Sequence, residues 1–310
     1  DLQWRWFNSF LLYHSNFTRA NCGHTQFRQS YLVDSNFTSA TLTKAFCWFT
    51  NFTGATFRYA QMTYANLSCS NFTSAKLIDA NLKGASLFNA NLTNAVLTNA
   101  NLEGADFTGV NFTGVISGGI TGTPKALPPG YKITNGYLIG PGVNFTNMSF
   151  AGMYLEDVNL TGANLRNINF GGAIFGNVNL TNADLTGANM GYNDLSRVNL
   201  TGATLTNASL NGAVFVLWST DGKNSANLTG VKSGGIIGTP HSLPSGVKLV
   251  NGYIAAPGAN LSGVDLRYAN LEGVNLSGAN LTRVGLIGAN LENANLEGAN
   301  LTGVNLTGVK

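Results

Sequence analysis

The stretch NLTNAVLTNANLEGADFTGVNFTGV, Asn91 to Val115, places Leu or Phe at every fifth residue: Leu92, Leu97, Leu102, Phe107 and Phe112. A period of five fits neither the 3.6-residue helix nor the two-residue strand. Counting outward, positions 17, 22, 27, 32 and so on to 112 all hold Cys, Phe, Leu or Met, which makes twenty consecutive pentapeptides from Phe17. Two residues before each such centre the chain prefers a small residue: Ala40, Ala45, Ala55, Ala60, Ala65, then Ala75 to Ala105 at every fifth place. Asn usually precedes the centre, and Thr or another polar residue often follows it. Such a unit requires a backbone that turns every five residues and points two side chains of each five inward.

The pattern resembles the pentapeptide-repeat family, whose signature is A-(D/N)-L-x-x. The resemblance implies an all-β fold, a right-handed quadrilateral β-helix in which four pentapeptides make one square coil. Coils would stack at about 4.8 Å, each pairing its backbone with the coils above and below. Residues twenty apart would then form ladders. Phe17, Phe37, Phe57, Leu77 and Leu97 would line one inside wall, and Leu32, Phe52, Phe72, Leu92 and Phe112 another. Outside, Thr53, Thr73, Thr93 and Thr113 would form one hydroxyl row and Thr161, Thr181 and Thr201 another. Such rows can bind ice, and they also arise from repeating a β-favouring residue.

The repeat breaks after Phe112, resumes at Phe145 and runs to Phe215. A disturbed patch, Val216 to Ser225, precedes one unit centred on Leu228, and a last run extends from Leu261 to Leu306. The interruptions are copies of each other: the 33 residues from Gly114 align without gaps on the 33 from Gly230, with 19 identical. In each copy an Asn-Gly pair, Asn135-Gly136 and Asn251-Gly252, sits between short apolar segments and predicts a β-hairpin turn. The expected organisation is an aromatic cap or assembly segment at 1–15, β-helix blocks at 16–114, 143–230 (disturbed at 216–225) and 259–310, and hairpin inserts at 115–142 and 231–258.

Little in the composition suggests chemistry. Charged residues make up 10% of the 310, the net charge is +3, and there are 38 glycines. Residues 1–100 hold seven Lys or Arg against three Asp, and residues 101–200 hold four against six Asp or Glu. A nucleic-acid surface would cluster its basic residues more strongly. Cys22 and Cys47 occupy repeat centres and read as small buried hydrophobes; an odd third cysteine, Cys69, leaves at least one thiol unpaired or open to another chain. His14, His24 and His241 are far apart, and no Cys/His group has zinc-ligand spacing. Walker, G-x-G-x-x-G and G-x-S-x-G motifs are absent from the sequence. Glu272 and Glu292, twenty apart, read as stacked surface residues, and the many Asn-x-Thr sequons follow from the repeat itself. No apolar run reaches the roughly 20 residues of a spanning helix.

The expectation is therefore a protein that is not an enzyme and has no catalytic, cofactor or metal site, no nucleic-acid partner and no small-molecule substrate. The candidate assembly interface is the aromatic Trp4, Trp6, Phe7, Phe10 and Leu11 at one end, against Leu301 and Leu306, which continue the repeat at the other. Unlike surfaces meeting head to tail without closure generate a filament, so the leading expectation is a self-assembling subunit of a bacterial extracellular filament or surface layer. The chain starts at Asp1, which would fit signal removal and an extracellular or cell-surface location; a cytoplasmic one is the alternative. The resemblance also implies a rival, because some family members mimic DNA in shape and charge and protect gyrase from quinolones. Those members are acidic dimers, whereas this chain is slightly basic.

Overall fold

A computed structural model describes residues 1–216 and 225–310; most of the disturbed patch at 216–225 lies outside the described residues. The described chain contains no helix and divides into two compact units, Asp1–Asn144 and Phe145–Lys310.

In the first unit the pairing repeats every twenty residues. Asn36 bridges Asn16 and Thr56, Asn51 bridges Tyr31 and Asn71, and these bridges between coils are parallel. The Phe17 N–H donates to the Asn36 carbonyl at 2.7 Å, and the Asn36 N–H donates to Ser15 at 2.9 Å. Four pentapeptides thus close one side each of a coil, and consecutive coils satisfy one another's backbone.

A turn at each corner explains the period of five. The centre carbonyl accepts from the N–H three residues on, as Phe17 does from Ala20 at 2.9 Å. The residue two past the centre takes a positive φ, as in a type II turn: 57° at Asn94, 66° at Gly104, 71° at Gly109. Asn and Thr hold the strand before that turn. The Asn91 side-chain oxygen accepts from the Thr93 N–H at 3.0 Å and from its hydroxyl at 2.6 Å, and the same arrangement recurs at Asn51, Asn71 and Asn159. This is an Asx turn, in which a side chain replaces a backbone acceptor.

The predicted inner ladders are present. Phe37 is fully buried and stacks on Phe17 at 4.6 Å and on Phe57 at 4.9 Å, with both ring pairs within 6° of parallel. Phe52 stacks on Phe72 at 5.0 Å, and Phe27 meets Phe37 edge to face. Where Ser or Thr replaces the inward Ala, the hydroxyl donates to a centre carbonyl of the preceding coil: Thr25 to Leu2, Ser35 to Leu12 and Thr50 to Phe27, at 2.7, 2.9 and 2.6 Å. A polar atom inside so narrow a core is tolerated only because that acceptor lies within reach.

The five-residue rhythm already runs through residues 1–15, ahead of the Phe17 from which the sequence count starts. Leu2, Phe7 and Leu12 stand at centre phase, Trp6 bridges Gln26, and Leu11 bridges Tyr31. The rhythm is hidden in the sequence because Arg5 and Phe10 fill inward positions that elsewhere hold small residues.

The 114–144 segment stays attached to its unit. Ile116, Thr121 and Ala126 bridge Val96, Asn101 and Asp106, continuing the coil. The strands β1 (Lys132–Thr134) and β2 (Tyr137–Ile139) then pair antiparallel, with Thr134 opposite Tyr137.

In the second unit β3 (Tyr154–Glu156) and β4 (Ile174–Gly176) are parallel rungs twenty residues apart, and β5 (Lys248–Val250) and β6 (Tyr253–Ala255) form an antiparallel pair like β1 and β2. Two coils here are longer than the rest. Asn199 bridges Asn227 and Lys232 bridges Asn260, spacings of 28 residues, before twenty returns at Asn260–Asn280. Eight added residues displace a five-residue phase by three, which accounts for the phase jumps between centres 215 and 228 and between 228 and 261. The hairpin is thus an enlarged side of one coil.

Candidate functional site

Because the turns consume most Asn and Thr side chains, candidate sites are the places where other residues occupy outward or corner positions. The sequence-predicted residues fall into two sets, the assembly residues and the hairpin turns.

Trp4, Trp6, Phe7, Phe10 and Leu11 lie on the first described coil. Trp4 occupies a turn at φ 62° and stacks on His24 with ring centroids 4.0 Å apart. Phe7 is half-buried, stacked on Phe27 at 5.4 Å and edge-on to Phe10 at 6.0 Å. Trp6 and Leu11 hold outward strand positions and are 72% and 67% exposed. Leu301 is half-buried, and Leu306 is 49% exposed.

Asn135-Gly136 and Asn251-Gly252 have positive φ at both positions, 50° and 76° in one and 49° and 78° in the other, the geometry of a type I′ turn. Each turn folds back onto its own coil. The Gly136 carbonyl accepts from the Ile120 N–H at 2.9 Å, and the Gly252 carbonyl from Ile236 at 3.1 Å. The Ser117 hydroxyl accepts from the Leu138 N–H at 3.0 Å, and Ser233 does the same for Ile254 at 2.8 Å. The shared Ser-Gly-Gly of the two copies is therefore a docking site for the hairpin. The sequence shows the shared residues, but their role depends on a contact twenty-one residues away.

A further cluster was missed in the sequence. Arg28 lies over both Phe46 and Trp48, each 5.4 Å from the guanidinium carbon to the ring centroid, a cation–π arrangement on one outer face. Next to that face, where the chain rounds a corner, Gln29, Ser30, Tyr31, Phe49, Thr50, Asn51, Cys69 and Asn71 line a groove of about 390 Å³. Phe49 stands at a positive φ of 58° and is 54% exposed. Periodicity does not reveal this groove, because its residues come from two sides of three successive coils.

Burial pushes the Cys22 thiol up to about 11, and burial with the nearby Cys22 raises Cys47 further still. Neither thiol is suited to nucleophilic chemistry at neutral pH. Among the described residues no group of three or more His, Cys, Asp or Glu could hold a metal, and no helix is long and apolar enough to cross a membrane. Asp106 and Asp184 serve the fold. Asp106 accepts from the Thr108 hydroxyl and N–H and from Lys125, which together hold its carboxyl below the usual range. Burial raises the Asp184 carboxyl, but hydrogen bonds from Thr186 and Arg166 outweigh it and leave it lowered.

The coil geometry agrees with a family model described as pentapeptide repeats, which matches residues 20–114, 142–215 and 256–310 in overlapping stretches. The chain belongs to the pentapeptide-repeat family. Among solved structures, this pentapeptide-repeat protein is similar to HetL, involved in heterocyst differentiation regulation in the cyanobacterium Nostoc sp. strain PCC 7120, at 26% identity over 73% of this chain and 88% of that one, TM-score 0.25. It is also similar to QnrB1, a plasmid-mediated fluoroquinolone resistance protein, at 20% identity over 74% of this chain and 93% of that one, TM-score 0.26. Rfr23 from the cyanobacterium Cyanothece 51142 is 21% identical over 38% of this chain and 88% of that one, TM-score 0.29. Superposition at this level carries nothing about function, and membership rests on the repeat match. No curated protein matches the chain.

Proposed function

We propose that this pentapeptide-repeat protein is a non-catalytic structural protein that assembles with further copies of itself through apolar surfaces on its coils. The observation that carries the reading is the concentration of exposed Trp4, Trp6, Phe10, Leu11 and Tyr13 within ten residues. Two of them, Trp6 and Leu11, hold outward strand positions that Asn fills on many later coils, so burial within the coil does not explain them. The non-catalytic part of the reading rests on the employment of the outward side chains, since the Asn and Thr flanking the centres are engaged in Asx turns. End-on contact with the coil carrying Leu301 and Leu306 would come from the centre-phase Phe7 and the inward-phase Phe10, while the outward Trp6 and Leu11 add side-by-side contacts between walls, which together give an open-ended filament or surface layer.

The test is the assembly state of the intact chain, by sedimentation velocity and negative-stain microscopy, with and without Trp6→Asp and Leu11→Asp. Both positions face outward, so the variants keep their inner ladders. Polymers in the parent that dissociate in the variants support the reading; a parent that stays monomeric at high concentration refutes it. A gyrase supercoiling assay with added quinolone separates the gyrase-protecting alternative, which the +3 net charge disfavours.

A further inference from the structure

The corner groove between Tyr31 and Phe49 has the chemistry of a receptor for a neutral ligand. Its eight lining residues include no charged side chain, in a block that otherwise carries an excess of Lys and Arg. Two aromatic rings, Tyr31 and Phe49, are 45% and 54% exposed there. Phe49 is the less expected of the two. A bulky residue at positive φ is strained by about 1–2 kcal/mol, and Phe49 recovers little of that through burial.

The polar atoms are equally specific. Along this face an Asn–Thr relay uses up each amide: Asn111, Asn91 and Asn71 donate through Nδ2 to Thr93, Thr73 and Thr53 at 3.1, 3.1 and 3.0 Å. The relay stops at Asn51. Its oxygen is held by Thr53, but position 33, where the next acceptor hydroxyl would stand, is Val33. The Asn51 Nδ2 donor is therefore left without a protein acceptor at the groove. The Gln29 amide and the Tyr31 hydroxyl also have no protein hydrogen bond. In contrast, the hydroxyls of Ser30 and Thr50 point inward and donate to the Phe7 and Phe27 carbonyls.

We infer that this groove binds a neutral saccharide, with pyranose C–H faces against the Phe49 and Tyr31 rings and ring hydroxyls on Asn51 Nδ2, the Gln29 amide and the Tyr31 hydroxyl. Aromatic faces attract apolar or partially positive C–H surfaces, and uncharged amide donors suit hydroxyl groups better than phosphates or carboxylates. The inference goes beyond self-assembly: Leu11 bridges Tyr31 and the Tyr13 ring adjoins it, but the assembly reading uses none of the groove's own lining residues.

The experiment titrates the full chain with cellohexaose, chitohexaose and maltohexaose by calorimetry and by Trp fluorescence, since Trp48 lies 5.4 Å from the Phe49 ring. Saturable binding of at least one hexasaccharide is expected, weakened about tenfold or more in both Phe49→Asn and Tyr31→Thr. Asn is comfortable at positive φ, so Phe49→Asn removes the ring without lowering the melting temperature and separates lost binding from lost fold. Val33→Thr supplies the missing acceptor and is expected to weaken binding several-fold with both rings in place; unchanged affinity there overturns the role given to Asn51. Absence of binding to all three sugars at millimolar concentration overturns the proposal. So does affinity that Phe49→Asn and Tyr31→Thr leave intact, or binding confined to a sulfated polyanion.

Discussion

Replacing four strained corner residues in the first unit with glycine should make the protein more stable. Arg19, Ser39, Lys44 and Ser74 have φ of 57°, 57°, 56° and 58°, and their side chains make no hydrogen bond, ion pair or ring contact. A non-glycine residue in this region costs about 1–2 kcal/mol, and glycine's extra freedom in the unfolded chain takes back about 0.5–1 kcal/mol. The net gain is about 0.5–1 kcal/mol per site. Arg19 and Ser39 share a corner on adjacent coils, so simple addition over the four sites, about 2–4 kcal/mol, is the upper bound. At roughly 2–4 °C per kcal/mol for a body of this size, the melting transition of the first unit should rise by at most about 4–16 °C. Differential scanning calorimetry of the quadruple variant reads the shift, and Ser39→Ala, which keeps the strained φ, should give none. A quadruple variant that melts at or below the parent temperature would mean that the corner strain does not exist at these positions.

Three further outcomes follow from the interior and the surface. Phe37→Ala removes a fully buried ring stacked on both sides and should cost about 3–5 kcal/mol in denaturant unfolding; Phe37→Leu, which matches Leu77 and Leu97 in the same ladder, should cost less than half of that. Thr50→Val keeps the shape but removes the bond to the Phe27 carbonyl, so a loss of about 0.5–1.5 kcal/mol is expected by the same method, and no loss would show that the buried hydroxyl contributes nothing. Asp106, Asp184 and Asp265, the last held down to about 2 by hydrogen bonds from Arg267, are all lowered in the fold. Their stabilisation is present above the ordinary carboxylate range and is lost as pH falls through the lowered values. Thermal melts should therefore be flat in these contributions between pH 5 and 8 and decline below about pH 4.

The coil itself was legible because five-residue spacing, a small residue two before each centre and the Asn-Leu-Thr order each have one geometric meaning. The inner stacks of Phe17, Phe37 and Phe57 follow from that spacing once the family resemblance supplies four pentapeptides per coil. The left-handed corner was harder to see. In later coils Gly and Asn mark it, but in the first coils His24, Lys44, Phe49 and Tyr59 stand there, and no propensity identifies such residues as turn formers. The buried hydroxyls were hidden for a related reason: Ser35 and Thr50 look polar until the carbonyl of another coil is placed beside them. The groove depended on a missing hydroxyl at Val33, which is informative only once Asn51 is known to lie across from it.

The 28-residue coils have a consequence for how this fold accepts new sequence. Lys232 still finds Asn260 on the same side of the next coil, although eight more residues separate them than separate Asn260 from Asn280. The wall therefore responds to where the chain re-enters, and eight added residues leave its pairing intact. The detour between Lys232 and Asn260 also carries its own dock, the Ser-Gly-Gly against which its Asn-Gly turn folds, so it travels as a self-contained cassette between ladders that keep their alignment.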